Sequence, residues 1–158
     1  MTAHSAQDVK DLYCLIGEAV CMIQHLEGAL SHSITLKKDV RYPHSLSKDR
    51  ADICLKRNQR HTLGKAIQLA HDNDLYPETF FSELRALLDE RNWLIHNFVC
   101  NNLEDMHTAS KRALLIRRIK EISNKAIELQ MAIEYDLIGF SESVGIDMSR
   151  VRSVMEQF

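Results

Sequence analysis

Glycine and proline are scarce in this chain, with five Gly and two Pro in 158 residues. So little punctuation excludes a fold of many short strands joined by tight turns and favours long helices. Long apolar runs are missing as well: no stretch approaches the roughly 20 apolar residues of a membrane-spanning helix. The opening segment MTAHSAQDVK lacks the charged-then-apolar layout of a secretory signal, so a cytoplasmic location is expected. The cysteines, Cys14, Cys21, Cys54 and Cys100, include no CxxC pair, and free thiols are expected in that compartment. Eight histidines show none of the HxxxH, HExxH or HxH spacings, so no metal site is expected. Neither GxxxxGK[ST] nor GxGxxG occurs, and no serine lies in a GxSxG setting. A glycine loop for phosphate and a hydrolase nucleophile elbow are thereby excluded, and no cofactor is expected.

What is present is helical periodicity. A hydrophobic fraction of 45% and a charged fraction of 27% are ordinary for a globular protein. The whole of 1–158 reads as one all-α domain of four to five main helices, long enough to build a core without staples. Leu12, Leu15, Ile16, Ala19, Ile23, Leu26, Leu30 and Ile34 step by three and four, predicting a first helix from about Gln7 to Leu36. Its opposite face carries Cys14, Cys21, His25 and His32 nearly in line, a half-exposed or partner-facing stripe. Residues 37–50 read as a connection, with a second helix from Ser47 or Asp49 to about Arg60. Thr62 looks like the cap of a helix over Leu63 to His71, ended by Asp72-Asn73-Asp74. Pro77 fits the first position of the next helix, with Glu78 in its first turn, and that helix is expected to reach Val99. Cys100-Asn101-Asn102 reads as a turn. A long helix then starts at Leu103 or Thr108 and runs to Phe140. Gly145 and Asp147 mark a break before a short helix or tail within 145–158.

The net charge of −2 hides an asymmetry. Residues 37–65 carry +6, whereas residues 66–105 carry −6. The basic segment includes Lys56, Arg57 and Arg60, which are candidates for holding RNA phosphates.

One stretch breaks the apolar pattern, FFSELRALLDERNWLIHNF from Phe80 to Phe98. At about 100° per residue, Phe81, Leu84, Leu87, Leu88, Leu94, Ile95 and Phe98 share one arc, and Arg91 falls near its centre. A guanidinium in an apolar stripe needs an anion or good hydrogen bonds to meet it. His96 lies five residues on, about 140° round an ideal helix, and Asn92 lies on the same side as His96.

The spacing Arg91–Asn92–(three residues)–His96, on a helix of an all-α chain of this size, resembles the RxxxxH motif of the HEPN superfamily. The resemblance implies a small helical bundle that pairs as a homodimer and cuts RNA without metal, in toxin, phage-defence or RNA-processing systems. It implies that Arg91 and His96 are catalytic, with Asn92 supporting them, in a composite site across the dimer interface. The expected products carry 2′,3′-cyclic phosphate ends, and the need to restrain such an RNase points to an antitoxin or regulatory protein as a partner, which no residue of the chain identifies. Some toxin members have tyrosine two residues after the histidine; this chain has Phe98 there, so modification of that hydroxyl is excluded. The other reading is a non-catalytic helical module for dimerisation or for RNA or nucleotide binding.

Overall fold

The computed structural model describes residues 3–158, as helices joined by short loops with no strand among the described residues. Helix α1 (Ala3–Ile34) passes without a break into a π-helical stretch, Thr35–Val40. Helices α2 (Lys48–Asn58) and α3 (Leu63–Asp72) follow. Then come α4 (Glu78–Asn92), a π turn at Trp93–Asn97 and α5 (Phe98–His107). Helix α6 (Ala109–Ser143) is the longest, and α7 (Ser149–Met155) ends the bundle. The all-α expectation holds.

The spine is α1 against α6. The three-and-four stripe of α1 buries Leu12, Ala19, Ile23, Leu26, Leu30 and Ile34 against Leu115, Ile119, Ile122, Ala126, Leu129 and Ile133. Ion pairs fix their direction: Arg112 meets Asp8 at 2.8 Å near the start of both helices, and Lys37 meets Asp136 at 2.7 Å near the end. The two helices therefore run parallel. Helix α4 runs the other way along α6, with Glu83 on Lys125 and Glu90 on Arg118. Phe81, Leu84 and Leu87 point from α4 into the same core.

Local chemistry sets three of the helix ends. The Ser47 hydroxyl accepts from the Arg50 amide, and the Thr62 hydroxyl accepts from the Lys65 amide, each at 3.3 Å, as N-caps do. Gly145, at φ +91, ends α6, and the amide of Ile146 reaches back to the Ser141 carbonyl.

Two boundaries differ from expectation. The first helix persists through Lys37–Val40, which the sequence suggested was loop. A buried polar knot holds that stretch: the Asn58 amide donates to Thr35 Oγ1 at 2.8 Å and to Asp39 at 2.9 Å. Lys37 adds a bond to the Leu75 carbonyl at 2.8 Å and lies 4.3 Å over the Tyr76 ring. The second correction concerns Cys100-Asn101-Asn102, which is helix within α5 rather than a turn. Asn102 bonds back to the Phe98 carbonyl of its own helix, at 2.9 Å, and Phe98 and Met106 anchor α5 in the core. The chain breaks instead at Thr108, whose backbone is extended.

Candidate functional site

Arg91 lies in the last turn of α4, one residue before its end, and His96 lies on the π turn that follows. The core-facing residues across this junction are Leu84, Leu87, Leu94 and Phe98, all buried. Arg91 is half-buried and Ile95 is 44% exposed, so Arg91 sits at the rim of the buried face rather than at its centre. The physical reason is the π turn. Its hydrogen bonds span five residues rather than four, so each residue turns the chain through less than 100°, and Ile95 rotates off the core.

The same change of pitch acts on the motif. On an ideal α-helix His96 would be about 140° from Arg91. With a π turn that begins two residues after Arg91 and contains His96, that offset shrinks, because residues five apart approach the stacked relation that residues four apart have in an α-helix. Asn92 and His96 are exposed. Arg91 Nη1 donates to Asn92 Oδ1 at 3.4 Å, a long contact. His96 forms no hydrogen bond or ion pair among the described residues, so its imidazole is open to an incoming ligand.

A clamp from α6 holds the turn. The Arg118 guanidinium donates to both oxygens of Glu90, at 2.8 and 2.9 Å, and stacks 3.5 Å over the ring of Trp93, the first residue of the turn. Trp93 meets Phe98 edge-on at 5.5 Å. Arg118 thus grips the residue just before Arg91 and the residue that begins the π turn.

Arg91 borders two recesses. One, of about 270 Å³, is formed with Asn92, Leu88 and the start of α3 at Thr62, Leu63 and Gly64. The first amides of a helix have no partner inside it and carry partial positive charge. Guanidinium, amide side chain and helix start together favour an anion such as a phosphate. The other recess, of about 50 Å³, lies between α1 and α4 and includes Glu27, Ile23 and Ile95. Burial pushes the Glu27 carboxyl above its ordinary value, and the positive charge of Arg91 offsets part of that rise. Glu27 and Arg91 share this recess with no direct ion pair or hydrogen bond between them among the described residues, so the carboxylate acts on the guanidinium through its charge alone. The sequence signal of Glu27 was an acid on the shoulder of the α1 stripe, next to Leu26, which periodicity alone treats as solvent-facing.

The basic segment contributes unevenly. Arg57 is paired with Asp39 at 2.8 Å beside the π-helical end of α1. Lys56 and Arg60 are exposed. None of the three contacts Arg91, Asn92 or His96 among the described residues. Arg60 nevertheless stands two residues before Thr62, so the end of the segment leads to the lip of the Arg91 recess. On α1, Cys14, Cys21, His25 and His32 are all exposed, and the four cysteines are free. No three His, Cys, Asp or Glu residues gather as a metal-ligand set among the described residues. No helix of the described residues is long and apolar enough to cross a membrane.

Compared with protein-family models, with curated proteins and with solved structures, the chain matches none.

Proposed function

We propose that this protein is a HEPN-type, metal-independent endoribonuclease that works as a homodimer, with Arg91 and His96 as its catalytic pair and Asn92 in support. The observation that carries the reading is the π turn at Trp93–Asn97, which begins two residues after Arg91 and contains His96; its wider pitch narrows their angular offset. Such turns inside α-helices are frequent at functional sites.

RNA supplies its own nucleophile, so the protein must move protons and stabilise charge. The 2′-oxygen attacks phosphorus as His96 takes its proton, the bond to the 5′-oxygen breaks, and that oxygen leaves with a proton from the second histidine of the dimer. A histidine suits this exchange because its ordinary pKa is about 6.5. Arg91 holds the non-bridging oxygens, where negative charge grows. The products are a 2′,3′-cyclic phosphate and a free 5′-hydroxyl. Two copies of the motif helix across a two-fold axis supply two arginines and two histidines to one cleft. A toxin or phage-defence role, restrained by an antitoxin or regulatory protein, follows from the same resemblance.

A second reading has an observation in its favour. Glu27 beside Arg91 opposes an incoming phosphate, and Arg57 is occupied by Asp39. A non-catalytic module that dimerises or binds RNA or a nucleotide tolerates both.

The discriminating experiment is cleavage of labelled RNA in EDTA by wild type, Arg91→Ala and His96→Ala. The expected result is cyclic-phosphate products from wild type alone. Each variant should lose about 10²- to 10³-fold in rate, the cost of removing one transition-state contact. Wild-type cleavage by a folded, dimeric His96→Ala protein would sink the assignment. Binding without cleavage by any of the three would favour the module.

A further inference from the structure

A recess larger than either of those at Arg91 lies away from the motif, between the C-terminal parts of α1 and α6 and beneath α7, with a volume of about 600 Å³. Its size falls in the range of small-molecule sites, roughly 300 to 1,000 Å³. Gly28 and Ala29 on α1 leave the space, and a Cβ built on Gly28 meets nothing within 4 Å. Leu137 and Ile138 of α6 and Val151 and Met155 of α7 give it apolar walls. Helix α7 has no buried residue and is tied back by the Arg152–Glu142 pair at 2.9 Å, so one wall is a light flap.

The recess is lined by Gln24, His25, Gln130 and Ser141, whose side chains both donate and accept, and by two groups that set its preference, Glu134 and His32. Glu134 is the single formally charged residue of its lining, and no basic side chain pairs with it among the described residues. One of its oxygens accepts from Gln130 at 2.9 Å, which leaves the other open. Across the recess, His32 Nδ1 lies 2.9 Å from the Gly28 carbonyl. A carbonyl only accepts, so Nδ1 carries the proton, and in the neutral ring Nε2 is a bare acceptor. Two acceptors, one of them anionic, face an apolar chamber from opposite helices. We infer that this recess is a binding site for a small apolar molecule bearing an amine or other cationic donor. Its head sits on Glu134 and its body lies between α6 and α7. Met148 and Met155, flexible and polarisable, let the walls adapt to the body. The site is independent of the Arg91–His96 reading.

The test uses the full chain and dansylcadaverine, an apolar fluorophore carrying a primary amine, with dansyl amide as the uncharged control. The expected result is saturable, blue-shifted emission with dansylcadaverine on wild type. Glu134→Gln should weaken the amine probe about tenfold and leave dansyl amide unchanged. Gly28→Leu fills the recess from a position with free space, and should weaken both probes at least tenfold while circular dichroism stays as wild type. Absence of saturable binding to wild type overturns the site. Equal amine binding by Glu134→Gln overturns its charge selectivity. Unchanged binding of both probes by Gly28→Leu places them elsewhere and overturns the location.

Discussion

Asp39 and Glu27 carry the same kind of group and are bent in opposite directions by their surroundings. Burial alone would raise the Asp39 carboxyl, but the Asn58 amide and the Lys38 and Arg57 cations outweigh it and hold it below its ordinary value. A lowered carboxyl stabilises the fold above its unfolded pKa of about 3.9 and loses that contribution as pH falls through the folded value. Asp39→Asn should therefore cost about 1 to 3 kcal/mol at pH 7. The cost should shrink below about pH 4, as read by urea unfolding at several pH values. A constant difference from pH 7 down to pH 3 would contradict this. Glu27 works the other way: its raised carboxyl takes a proton before its unfolded counterpart does, and Arg91 is then relieved of its internal anion. RNA or phosphate affinity at Arg91 should rise as pH falls through the Glu27 transition, on the proposed reading of the site. Glu27→Gln should bind more tightly at pH 7 and lose that pH dependence. Tighter binding by wild type than by Glu27→Gln would show that Glu27 assists the ligand.

Among the elements, the ends written in single residues were legible. Ser47 and Thr62 announce α2 and α3 because a hydroxyl before an amphipathic run satisfies an orphan amide, and Gly145 announces the stop of α6. The two π-helical stretches were not legible. Each depends on partners far away in sequence: Asn58 for the first, Arg118 for the second. The motif pair was visible as residues, but its angular relation was not, since periodicity arguments assume one pitch throughout. Arg118→Met keeps the length of the side chain and removes its charge, and so tests the second clamp. The half-exposed ion pair and the stacking on Trp93 together contribute about 1 kcal/mol, so Tm should drop by about 2 to 4 °C. On the proposed function, RNA cleavage should fall more than that small loss of stability explains, with kcat affected and KM little changed. An unaltered kcat would mean that the turn keeps its shape without the clamp.

For the molecule as a whole, the predicted oligomer is a dimer formed around the exposed Asn92, Ile95 and His96. Sedimentation of wild type should give twice the 18.2 kDa chain mass. Ile95→Glu, placing a charge on that face, should shift it to monomer and abolish cleavage together. Cleavage by a monomer would rule out the composite site. The fold class followed from sparse glycine and proline and from the two long stripes, but the way the stripes meet did not. Helices α1 and α6 lie parallel, so the chain between them must travel back before the second can be laid down. Bonds such as Asp8–Arg112 close loops of about a hundred residues. A ribosome making about 5 to 20 residues per second leaves the apolar side of α1 without its main partner for roughly 5 to 20 s. During that interval the nascent helix is a natural client for a chaperone, and the bundle can lock only after α6 has cleared the exit tunnel.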